Sequence, residues 1–132
     1  MSAMAEGTRR LLEILLKPGP SSQSADEYQR HLDAKTNAAS DLLQSGGLRP
    51  TDMLLLPSTI GSVAGTFGVV GAMEVTKVAL VLAATSSWDM LDFLEQTCSA
   101  VAANVPEEAT DYKGLLSAYI GKVILEAAKC EP

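Results

Sequence analysis

From Ile60 to Ser86 the chain reads IGSVAGTFGVVGAMEVTKVALVLAATS, apolar almost throughout, with glycine at 61, 65, 68 and 71 and two charges, Glu74 and Lys77. No other segment limits the fold so sharply. So apolar a stretch has to cross a bilayer, line a ligand cavity or form the middle of a soluble core. Ile60, Val63, Phe67 and Val70 recur at three and four residues, a helix stripe, and Gly61, Gly65, Gly68 and Ala72 recur on a second face. The β alternative has some support, because Val and Thr are frequent and each glycine weakens a helix by about 1 kcal/mol relative to alanine. Period two, however, holds only in short patches such as Met73, Val75, Lys77. The spacing predicts a helix from about Thr59 to Ala84, kinked or split near Gly68 to Gly71.

The chain is uncharged from Met53 to Met73, long enough to span a bilayer. Three features oppose that use. Pro57, Ser58, Thr59, Ser62 and Thr66 lower its transfer free energy, and the glycines add little apolar area. The more hydrophobic later half carries Glu74 and Lys77, each costing about 2.5–3.5 kcal/mol at a membrane helix centre. No Lys/Arg cluster flanks the run to set an orientation. A buried helix of a soluble protein is the better reading. Its small-residue face, Gly61, Gly65, Gly68 and Ala72, invites close approach of another helix. An internal neighbour is favoured over a second copy of the chain, and room for a ligand is a third use.

The flanking segments read as amphipathic helices. Met4, Leu11, Leu12, Leu15 and Leu16 share one face of a helix over residues 4–17, stopped by Lys17-Pro18-Gly19-Pro20. Ser24 and Glu27 form a capping box for a second helix carrying Tyr28, Leu32, Ala39, Leu42 and Leu43, ended by Gly46-Gly47. A short turn holds Met53 to Leu56, with Pro57 as its end. Ser86 is the expected cap of the next helix, with a seam of Leu91, Leu94, Cys98 and Val101. The last helix begins near Ala109 or Thr110. Its apolar face, Leu115, Leu116, Tyr119, Ile120, Val123, Ile124 and Ala127, is expected to face the core. Aromatics are only 5% of the 132 residues, so aliphatic side chains must fill that core. The expected fold is all-α: residues 1–132 as one domain, a compact bundle of about five helices around a central, mostly apolar helix.

Candidate chemistry is sparse. A net charge of −6 repels phosphate backbones, which argues against nucleic acid as a partner. Cys98 and Cys130 are not in a C-x-x-C pair, and one His completes no usual zinc set, so no metal or cofactor is expected. The N-terminal segment does not have the form of a secretory signal, which makes a reducing cytoplasm the expected location. Glu27 and His31 lie four apart and can meet, but such pairs are common on solvated helix faces. Glu74 and Lys77, three apart in the most apolar region, are the sharper pair. If buried they must pair or hold a polar ligand, and if not they form a solvent strip, the favoured reading. No catalytic residue stands out, and an enzyme ranks last. The leading expectation is a helical protein acting through protein–protein contacts, as adaptor, chaperone, regulator or effector, and self-associating. A small carrier of an apolar ligand beside Phe67, Trp88 and the glycines is the alternative. A membrane-active protein exposing its central hairpin ranks third.

Overall fold

The computed structural model describes residues 6–17, 24–86 and 88–130, and among these the chain is helical with no strand. The helices are α1 (Glu6–Leu15), α2 (Ala25–Gln44), the single turn α3 (Pro50–Met53), α4 (Leu56–Thr85), α5 (Met90–Asn104) and α6 (Ala109–Cys130). A 3-10 turn, Pro106–Glu108, precedes α6. The expected contribution of Met4 and the stop at Pro18-Gly19-Pro20 lie outside the described residues, as does the side chain of Cys130.

Local chemistry sets most of the boundaries. The Ser24 hydroxyl accepts from the Glu27 amide at 3.2 Å, while the Glu27 carboxylate accepts from the Ser24 amide at 3.4 Å, the reciprocal box that starts α2. At the other end Gly46 takes φ +82°. The Gly47 and Gly46 amides donate back to the Leu42 and Leu43 carbonyls, a Schellman stop. Two boundaries differ from expectation. Pro57 opens α4 rather than closing α3, because a proline within the first turn has no intrahelical amide bond to forfeit. Ser86 closes α4, its hydroxyl donating to the Leu82 carbonyl at 2.8 Å, and Asp89 caps α5 by accepting from the Asp92 amide at 3.0 Å.

α4 is the centre of the bundle, and every other helix packs on it. Its contact with α5 is the most extensive. Ile60, Val63, Val75, Val78, Ala79 and Leu82 are buried on several sides of the helix, which explains why its apolar residues do not form a single stripe. α3 and α4 together are the one described stretch long and apolar enough to cross a membrane, with mean hydropathy 1.8, yet half of its most apolar window is buried inside the bundle. Gly68 breaks α4 into two parts at φ +83°, ψ 174°, the kink expected from the glycine run and a conformation costly for any residue with a Cβ.

The α5 seam is rotated from the expected one. Phe93, Thr97 and Val101 are buried, Leu94 and Cys98 are half-buried, and Leu91 is 74% exposed. Two contacts lie on the rotated face, one local and one between distant segments. Trp88 packs edge-on against Phe93 at 5.1 Å between ring centroids, and Gly61 meets the backbone of Ala100. On α6 only Tyr112 and Leu116 of the apolar residues are fully buried, and the Tyr112 hydroxyl bonds Thr76 at 2.7 Å. Tyr119 and Ile120 are half-buried, whereas Leu115, Val123, Ile124 and Ala127, expected in the core, are exposed. At 1.5 Å per residue, the 22 residues of α6 run about 33 Å, against about 22 Å for the 15 residues of α5. The last turns of α6 therefore outrun their neighbour.

Candidate functional site

The four small residues singled out on α4 do not make one contact face. Gly61 is buried against α5, where a Cβ would lie 2.8 Å from the Ala100 carbonyl oxygen. Gly65 is exposed, and a Cβ there would lie an ordinary 3.5 Å from the Asn104 side chain. Gly68 supplies the break, and Ala72 is fully buried beyond it. The break changes the helical register, so a spacing that is continuous in sequence is not continuous in space. The close helix approach at Gly61 is internal.

Glu74 and Lys77 are half-buried on the α4 surface facing α2 and α6. They form neither an open solvent strip nor a direct ion pair. The Tyr28 hydroxyl of α2 stands between them. It donates to Glu74, at 2.8 Å from Oε1 and 2.9 Å from Oε2, and accepts from Lys77 Nζ at 2.8 Å. The ammonium also sits 5.1 Å from the Tyr28 ring centroid and 5.3 Å from that of Tyr119 on α6, a cation held over two aromatic faces. Burial, reinforced by the bond to Glu74, pushes the Tyr28 hydroxyl well above its ordinary pKa, so it remains a donor. Burial also raises Tyr119. Helical spacing alone marks Tyr28 as a member of an apolar stripe. The signal that could have found it is complementary need: an inward tyrosine requires a partner for its hydroxyl, and two charges in an apolar helix require partners too.

This network floors a cleft between α2 and α6. On one side of Lys77 and Tyr119 is a cavity of about 970 Å3 lined by Leu32, Met73, Leu115 and Val123 and rimmed by Asp26, Lys122 and Glu126. On the other side is a groove of about 370 Å3, almost wholly apolar, formed by Leu80, Val81, Met90, Leu94, Ile120 and Ile124. The free end of α6 lies along both. From Gly121 to Lys129 every side chain is exposed, including Val123 at 47%, Ile124 at 63% and Leu125 at 62%.

The remaining candidates fall elsewhere. Glu27 is used by its capping box, so His31 is not its partner. His31 instead lines a third cavity, of about 340 Å3, on the α1 side of Tyr28. Phe67 stands at that cavity, whereas Trp88 packs on Phe93. Cys98 is half-buried, and burial raises its pKa against the opposing charge of Lys113, which leaves a protonated, weakly nucleophilic thiol. Among the described residues no three of His, Cys, Asp and Glu are gathered as a metal site would need. Comparison with protein-family models, with curated proteins and with solved structures finds no match to this chain.

Proposed function

We propose that the chain works by binding protein, and that its first partner is a second copy of itself, joined through α6 and the groove beside it. The observation that carries this reading is the free half of α6, where Val123, Ile124 and Leu125 lie exposed next to an apolar groove. Apolar surface of this extent, rimmed by polar groups, is characteristic of contact sites. Charge selects the occupant. Two chains of net −6 repel, but at this rim the carboxylates Asp26 and Glu126 are matched by Lys122 and by Lys129, which lies 4.0 Å from Glu126. Lys122 and Glu126 also lie four apart on one flank of the stripe. With two α6 helices antiparallel about an axis at Ile124, Lys122 comes opposite the partner's Glu126, and the reverse pair forms by symmetry. A stable interface takes about 800 Å2 per partner, more than three helical turns present alone, so the groove of Leu80, Met90 and Leu94 has to take part.

Light scattering across a concentration series tests the reading. The expected result is a dimer for the natural chain and a folded monomer for Ile124→Asp, since one buried unpaired carboxylate is enough to break a small apolar interface. A natural chain that remains monomeric at high micromolar concentration would overturn self-association.

A further inference from the structure

We infer that the cavity between α1, α2 and α4 binds a small monocarboxylate carrying an apolar or aromatic tail. Its volume, about 340 Å3, lies within the range of small-molecule sites. Leu15, Val63 and Val75 form an apolar wall, and Phe67 stands at the cavity 61% exposed, immediately before the Gly68 break. An aromatic ring left this open beside apolar surface offers a face for a tail.

The polar lining is basic. Lys17, His31 and Lys35 converge on this cavity in a chain that is acidic overall. Lys35 donates one N–H to the Leu15 carbonyl at 2.7 Å and keeps two more to offer. The side chains of Lys17 and His31 make no hydrogen bond or ion pair with any described residue. Glu74 is the one carboxylate in the lining, and the Tyr28 hydroxyl already engages both of its oxygens. Lys17 and Lys35 outnumber Glu74 in this lining, and Glu74 is already bridged through Tyr28 to Lys77, so the cavity carries a net positive charge that an anionic headgroup neutralises. Among the described residues no arginine fork lines the cavity to favour a phosphate. Burial makes the Lys35 ammonium easier to deprotonate, and an anionic headgroup would relieve that cost. The tail in turn covers the wall that a bare acetate would leave wet.

The test uses two probes of equal tail length, octanoate and octan-1-ol, titrated separately into the full chain and followed by amide chemical shifts. Octanoate is expected to move the amides of Lys17, His31, Lys35 and Gly71 and to bind about tenfold more tightly than the alcohol, equivalent to about 1.4 kcal/mol. Lys17→Met and His31→Gln remove no side-chain bond to a described residue, so each should weaken octanoate about threefold or more, leave octan-1-ol unchanged and leave the melting temperature intact. Equal affinity for acid and alcohol, or shifts confined to Ile120 and Ile124 in the α6 groove, would overturn the assignment while leaving self-association untouched.

Discussion

Tyr28→Phe removes one oxygen and keeps the ring, which isolates the hydroxyl bridging Glu74 and Lys77. The ring contact with the Lys77 ammonium survives. What is lost is the bond donated to Glu74 at 2.8 Å and the bond accepted from Lys77 at 2.8 Å. Hydrogen bonds to charged groups contribute about 1.5–3 kcal/mol each when desolvated. These groups are half-buried, so solvent takes over part of the role, and the expected total is about 2 kcal/mol rather than the sum. For a domain of this size that corresponds to a fall in Tm of roughly 8 °C. Urea unfolding followed by helical circular dichroism should show a lower midpoint with an unchanged slope. A cycle with Glu74→Ala should show coupling of about 1 kcal/mol or more, because the second change finds its partner already gone. A Tyr28→Phe variant within about 0.5 kcal/mol of the natural chain, with no coupling, would refute the bridge and return both charges to a solvated strip.

The remaining expectations also rest on particular contacts. Gly61→Ala should destabilise by about 1–3 kcal/mol despite the better helix propensity of alanine, because its Cβ would meet the Ala100 backbone, while Gly65→Ala should be neutral or stabilising by up to about 1 kcal/mol; paired thermal melts decide. Phe93→Ala should cost about 3–5 kcal/mol in denaturant, whereas Leu91→Ala should stay within about 0.5 kcal/mol, and equal effects would return the seam to Leu91. Alkaline pH should destabilise the chain. Tyr28 is raised and Tyr112 is pushed up to about 12, chiefly by burial, so the folded state keeps protons that the unfolded chain releases near pH 10. The stabilisation from both hydroxyls is then complete below pH 10 and declines above it, the Tyr112 part being lost by about pH 12 and the Tyr28 part at still higher pH. Melts between pH 9 and 12 should fall less steeply for Tyr112→Phe, and a slope identical to that of the natural chain would refute this.

The helices, the caps of α2 and the place of the central helix are legible in the sequence, whereas the Pro57 start of α4 and the Asp89 cap of α5 are not. The Ser24 box, the Gly46-Gly47 stop and the kink at Gly68 are local events, decided by hydrogen bonds and φ angles within a few residues. The burial of α4 follows from its composition, since so apolar a helix with polar helices on either side has to lie between them. Which side of each outer helix faces inward, and how far the contact extends, depends on packing between distant segments. Periodicity marks an apolar stripe but not its neighbour, so the face of α5 with Phe93 and Thr97 was set by packing on α4, where Gly61 meets Ala100. The stripe on α6 continues past the point where α5 ends, and nothing in residues 109–130 records where that neighbour stops. The site residues divide in the same way. Glu74 and Lys77 were conspicuous as charges in an apolar helix, but Tyr28, 46 residues earlier than Glu74, became their partner only once α2 packed on α4. Hydrogen bonds between distant segments leave no period in a sequence, only unmet needs that the fold brings together.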